Sequence, residues 1–344
     1  MAKDAEERNH LVAQFGIFVL ALSVAVGTQA IFPKTALAQQ GARGAAPAAV
    51  ADQGLTDPAL IGALDTHAHM APDSPEPQVR GIDVIEYAQM AKARGMRGFV
   101  IKQQYDQTAQ LAYIARKMVP GLEVFGGIVM SRTVGGMSAE AVQHMAKVTG
   151  GWGRIVWMPT LNAEGNTVGG SNPPFVLVSR NGELLPETRA VLEVIAKTRT
   201  VDSNGELVLA TGHMPAKEAL MVLNEAKKLG VQHMVVTHGA TTWPLADLQE
   251  AVKLGALVEA RAGFDLISEP RATADPRKTT TDVIRQLGVE YIIIASDLGQ
   301  RSNPVHTDGL ATAAKWLRSQ GFTDQQLNRM FKENPARLMG LPIQ

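Results

Sequence analysis

Leu207-Val-Leu-Ala-Thr-Gly-His213, then Ala216–Leu229 and Gly230, then His233-Met-Val-Val-Thr-His-Gly239 is the stretch that decides the fold. Two short apolar runs bracket an amphipathic segment that closes on a glycine. A run that is apolar at nearly every position has both faces covered, as strands of a parallel sheet do. A glycine just past a helix supplies the left-handed cap. The unit therefore reads as strand, helix, parallel strand, with a histidine following each strand.

The same alternation continues in both directions. Eight runs are predicted as strands: Ile61–Asp65, Gly98–Lys102, Glu123–Val129, Arg154–Met158, Leu207–Thr211, His233–Thr237, Ala256–Ala260 and Tyr291–Ser296. Helices are expected over Val84–Arg94, Thr108–Lys117, Ala139–Lys147, Pro186–Thr198, Ala216–Leu229, Leu245–Leu254 and Asp282–Leu287, four of them closed by Gly95, Gly230, Gly255 and Gly288. Eight alternations from residue 58 onward match a (β/α)8 barrel. An open doubly wound sheet fits less well, because no Gly-x-Gly-x-x-Gly follows the first run. Two long connections, Leu161–Leu185 and Gly263–Lys278, are long enough to be functional. The first holds an expected hairpin, Phe175–Leu185, turning at Asn181-Gly182.

Composition narrows the field. The 344 residues are 45% hydrophobic and 19% charged, with 33 basic and 33 acidic side chains and no cysteine. Zero net charge gives no footing for a sequence-independent grip on nucleic acid. Without cysteine, disulfides, thiolate metal sites and a thiol nucleophile are excluded together. Residues 11–33 carry no charge and Ala36-Leu-Ala38 has the small-x-small cleavage pattern. Residues 1–38 are thus expected to be a signal peptide, the protein being exported and periplasmic. An anchor retained in the inner membrane is the alternative, and the only membrane contact foreseen. Residues 39–57 read as a flexible linker and residues 58–344 as the barrel domain.

Barrel enzymes keep their chemistry at the C-terminal ends of the strands. The polar residues at those ends are His67 and His69, Lys102, His213, His238 and Asp297, and four of the eight histidines fall in this set. Imidazoles and a carboxylate at one rim are a metal-ligand set. The expected cofactor is one or two divalent cations, zinc first, with manganese, iron or nickel as alternatives. Asp65 is expected to face the same side as His67, one layer deeper, and to orient a ligand ring. Lys102 has two readings: a carboxylated lysine whose carbamate bridges two cations, or a cation reaching the mouth to bind an anionic substrate. Glu259 is a further inward carboxylate, with a salt bridge to Arg261 or Lys102 as its plainer reading. Arg80, Gln103, Tyr105, Trp243, Arg261 and His306 are candidate contacts to a small-molecule substrate.

Asp65-Thr-His67-Ala-His69, Thr211-Gly-His213, Thr237-His238-Gly239, Ser296-Asp297 and the closing Glu333–Leu341 resemble the amidohydrolase superfamily of metal-dependent hydrolases. His67–Asp73, Arg80, Asp83 and Gly95–Lys102 are similar to an uncharacterised amidohydrolase-like subgroup. The resemblance implies His67, His69 and Asp297 on one cation and His213 and His238 on a second. It departs at the fourth run, where the superfamily usually places its bridging residue and Arg154–Thr160 offers none. Lys102 would then supply the bridge. Failing that, one cation would be held by His67, His69, His213 and Asp297, with His238 polarising the substrate or orienting water. The implied reaction is hydrolysis of an amide, lactone, ester or phosphoester, Asp297 taking a proton from water and passing it to the leaving group. A decarboxylase or other lyase of the same superfamily, and a noncatalytic exported binding protein, are the alternatives. A homo-oligomer is also left open.

Overall fold

The computed structural model describes residues 50–343 apart from 75–77, 170–172 and 270–274. The expected leader, and the linker as far as residue 49, lie outside the described residues. Pro47–Gln344 forms one compact unit. Its eight barrel strands are β1 (Leu64–Ala68), β2 (Gly98–Ile101), β3 (Glu123–Val129), β4 (Gly153–Trp157), β7 (Val208–Ala210), β8 (His233–Val236), β9 (Leu257–Arg261) and β10 (Ile292–Ala295). They are all parallel and run in the order β1-β2-β3-β4-β7-β8-β9-β10, so the (β/α)8 architecture is as expected. Between β4 and β7 comes a small hairpin, β5 (Ser179–Arg180) and β6 (Glu183–Leu184). Its turn sits on Asn181-Gly182, both at positive φ (53° and 80°), which is the backbone a two-residue hairpin demands.

Two apolar layers hold the barrel. Leu64, Val100, Phe125, Val129, Ile155, Trp157, Val208, Val235, Leu257 and Ile293 fill the interior as one cluster. Alternate residues such as Phe99, Val156, Leu209, Val236, Val258 and Ile294 face outward and pack with the helices. Gly127 makes room inside. A Cβ there would stand 2.3 Å from the Trp157 ring and 2.4 Å from the Ile155 carbonyl oxygen.

The first strand differs from its expected span: it starts at Leu64, three residues late, and carries His67 within it. Its register against β2 shifts between Asp65 and Ala68. The irregularity sends Asp65 and His67 to opposite faces, although they are two residues apart. The outward Asp65 accepts hydrogen bonds from the Tyr87 hydroxyl (3.0 Å), the Ser296 amide (2.8 Å) and the His67 amide (3.2 Å). Asp65 therefore orients no ligand ring, and that expectation is corrected. It staples β1 to the end of β10 instead.

Around this staple the two ends of the sheet are joined by single bonds. The Asp297 amide donates to the His67 carbonyl (2.8 Å) and the His69 amide to the Leu298 carbonyl (2.9 Å). Gly299 lets these backbones approach, since a Cβ there would fall 1.8 Å from the His69 carbonyl oxygen. The barrel closes where its histidines are.

Other element ends agree with expectation to within a residue or two, except that the hairpin begins at Ser179 rather than Phe175 and the helix ending at Leu287 begins at Pro276, capped by Asp275. Helix His306–Ser319, which the alternation did not include, completes the outer ring. Its buried Asp308 accepts from the main-chain amides of Gln53 (2.6 Å) and Leu55 (3.0 Å). Among the described residues no helix is long and apolar enough to cross a membrane.

Candidate metal centre

β1, β8, β9 and β10 deliver five side chains to one point at the C-terminal end of the barrel, all at least nine-tenths buried: His67, His69, His238, Glu259 and Asp297. Asp297 Oδ1 stands 3.3 Å from His67 Nε2 and 3.2 Å from His69 Nε2. Asp297 Oδ2 stands 3.3 Å from His238 Nε2 and 3.6 Å from an Arg261 nitrogen. The stacked rings of His67 and His238 are 5.1 Å apart, and the His213 ring lies 5.0 Å beyond His238.

The other ring nitrogens fix what faces Asp297. His69 Nδ1 donates to the Lys102 carbonyl at 2.9 Å. His67 Nδ1 lies 3.0 Å from both oxygens of Glu259. With the proton on Nδ1, each Nε2 presents a lone pair to a carboxylate oxygen. Burial, with neighbouring cations adding to it, pushes His67 down to about 3 and His69 well below the usual imidazole range, so a second proton does not fill the gap. Lone pairs meeting at this distance call for a cation between them. Ligand atoms about 3.3 Å apart are also what a tetrahedral site with bonds of about 2.0–2.1 Å requires. The residues fit a divalent metal ion.

His67, His69 and Asp297 form one compact ligand set, and His67, His238 and Glu259 a second. His213 joins neither, although both its ring nitrogens, like both of His238, are buried without a hydrogen-bond partner. His238 and Asp297 hold left-handed backbone conformations, φ 58° and 49°. Such conformations in non-glycine residues cost about 1–3 kcal/mol and concentrate at functional sites.

Lys102 directly follows β2 and is fully buried, its Nζ without a hydrogen-bond partner and 5.8 Å from the Trp157 ring centroid. It does not reach the mouth to meet solvent. Burial drives it toward the neutral amine, and Asp297 and Glu259 oppose that. Burial and the nearby Asp297 charge push Glu259 toward its protonated form. A divalent charge beside Asp297 would restore the Glu259 carboxylate.

The expected substrate contacts separate. Arg80 is paired with Asp73 at 2.8 Å, and Arg261 with Asp265 at 2.8 Å. Arg261 also touches Thr241 (3.2 Å) and faces Asp297, so it belongs to the site as a neighbour of the carboxylate. Gln103 donates to the Pro72 carbonyl, and the Tyr105 carbonyl accepts from Thr133. Trp243 packs into the outer apolar cluster. His306 is corrected: its ring is fully buried, stacks on Tyr87 at 4.0 Å and bonds the His69 carbonyl at 2.8 Å. It supports β1 from behind, because the helix it begins packs outside the barrel. The plainer reading of Glu259 is also corrected, since among the described residues its partners at ion-pair distance are His67 and His238. A cavity of about 280 Å³ lined by Arg97, Lys332 and Ile343 opens at the other end of the barrel and shares no residue with this cluster.

The sequence profile of the Family of unknown function (DUF6282) matches residues 62–259, more than half of the chain. The chain belongs to this family. The DUF6282 match spans His67, His69, Lys102, His213, His238 and Glu259 and stops short of Asp297. No curated protein matches the chain in sequence. Solved structures it resembles include the organophosphorus hydrolase from Deinococcus radiodurans, at 14% identity, TM-score 0.51, covering 86% of this chain and 100% of that one. Another is a protein described as organophosphate hydrolysis activity engineered from a weak promiscuous lactonase template, at 14% identity, TM-score 0.52, covering 82% and 97%. At these identities the likeness shows the fold: this DUF6282 chain has the barrel on which those hydrolases are built.

Proposed function

We propose that this DUF6282 protein is a metal-dependent hydrolase, with His67, His69 and Asp297 holding a divalent cation and His238 beside them acting on the substrate. The carrying observation is the convergence of two imidazole Nε2 atoms on Asp297 Oδ1, at 3.3 and 3.2 Å. When bound, the cation acidifies a water and draws charge from a substrate oxygen.

The chain's own groups do the rest. Asp297 divides its labour: Oδ1 faces the two β1 histidines, while Oδ2 faces His238 and Arg261. Oδ2 accepts a proton from the attacking water. The water oxygen bonds to the carbonyl carbon or phosphorus, the bond to the leaving group breaks, and Asp297 returns the proton there. His238, whose Nδ1 and Nε2 make no hydrogen bond and whose Nε2 faces Asp297 Oδ2 at 3.3 Å, is placed to hold the substrate oxygen or a second cation. Lys102 suits carboxylation: its neutral amine, the form burial favours, would add CO₂ and release one proton, leaving an anionic carbamate that would serve as a further ligand.

Lactones and organophosphate esters come first as substrates, on the strength of the named neighbours, with carboxylic esters and amides behind them. The test is metal analysis of the purified protein beside a His67→Ala/His69→Ala variant, with assays on one substrate of each class. Bound metal in the wild type, its loss in the variant, and activity removed by chelator and restored by zinc are expected. Wild-type protein that neither holds nor responds to metal overturns the reading. We further propose, from the uncharged run and Ala36-Leu-Ala38, that the protein is exported; a mature N-terminus at Gln39 is expected from N-terminal sequencing.

A further inference from the structure

Glu259 stands out because its surroundings do not favour a carboxylate. It lies on the inner face of β9, one inward position along from Leu257, and is 2% exposed. A buried carboxylate is tolerated only where its oxygens are hydrogen-bonded. Its bonds run to two places that the mechanism treats separately. Oε1 and Oε2 each stand 3.0 Å from His67 Nδ1, on β1. Oε1 also accepts the main-chain amide of His238 at 3.2 Å, just past β8. That amide belongs to a residue held at φ 58°.

We propose that Glu259 is a positioning residue of the metal centre: one carboxylate fixes the tautomer and ring of His67 through Nδ1 and the left-handed backbone of His238 through its N–H. This rests on the metal-dependent reading above. Accepting from Nδ1–H leaves the His67 Nε2 lone pair for the cation, and raises its basicity. Holding the His238 amide keeps that ring stacked on His67. Arg261, two residues along the same strand, faces Asp297, so β9 tends both the ligands and the base.

Three chains are compared: wild type, Glu259→Gln and Glu259→Asp. Gln keeps the shape and loses the charge. Asp keeps the charge and withdraws it by one methylene, out of reach of both partners. Zinc affinity is read by chelator competition, cobalt substitution by its visible spectrum, and the His67 Nδ1–H by its downfield proton resonance in zinc-loaded protein. Metal-free melting curves check that each variant folds. Both variants are expected to lose zinc affinity by about 10–100-fold, with an altered cobalt spectrum and a moved or missing Nδ1–H signal. If either folded variant keeps wild-type zinc affinity and cobalt spectrum, the positioning role is overturned and the hydrolase reading stands. If the wild type itself binds no zinc, both fall together. Activity need not be known for either outcome.

Discussion

Asp297 and His238 are strained at the backbone and buried at the side chain, an arrangement that a protein keeps only where surrounding bonds over-determine it. Replacing Asp297 with Asn keeps the shape and removes the proton acceptor. Turnover is expected to fall by about 10²–10⁴-fold, with the metal-free melting curve little changed; an Asp297→Asn variant of near wild-type turnover would remove Asp297 as the base. His306 gives a second residue-scale expectation. Burial lowers it to about 4, against about 6.5 in an unfolded chain. Above pH 6.5 neither state is protonated and the full stability is present. As pH falls from 6.5 the unfolded chain takes up a proton that the folded one refuses until about pH 4, so stability is lost across that window and levels off below it. The loss amounts to about 3 kcal/mol. Urea titrations in chelator should show a shallower fall for His306→Gln over this range; parallel curves would refute the assignment.

At the scale of elements, Gly127 and Trp157 test how the barrel floor supports the site. Trp157 fills the interior beneath His67, with ring centroids 6.0 Å apart. Gly127→Ala would drive a methyl into that ring and into the Ile155 carbonyl, and overpacking of this kind costs about 1–3 kcal/mol or more. A lowered melting temperature together with weakened zinc binding is expected, and unchanged melting would show that the floor yields. Most elements were legible because parallel strands are apolar on both faces, and Val, Ile and Leu announce them. The first strand was misplaced for the same reason. Ile61 looks like strand but is 63% exposed, whereas Thr66-His-Ala68 looks like loop and is strand. No periodicity reveals the register shift that separates Asp65 from His67. The strand-end histidines and Asp297 could be found from the strand count alone. The partners of Glu259 could not, since they come from strands far away in sequence.

For the molecule as a whole, a metal that binds only the folded chain adds its binding free energy to stability. At a free concentration of about 1,000 times Kd this is about 4 kcal/mol. Chelation is therefore expected to lower the melting temperature of the wild type, and to do nothing to His67→Ala/His69→Ala. An equal effect on both would place the metal elsewhere. The seam between β1 and β10 carries this further. The bonds that shut the ring, Asp297 amide to His67 carbonyl and His69 amide to Leu298 carbonyl, are made by the ligands' own backbones. A chain whose last strand has not docked thus lacks Asp297, one of the three ligands, however well the other seven strands have formed. Zinc uptake during refolding would be a stopwatch for ring closure, and an opening of that one seam would be enough to let the ion escape.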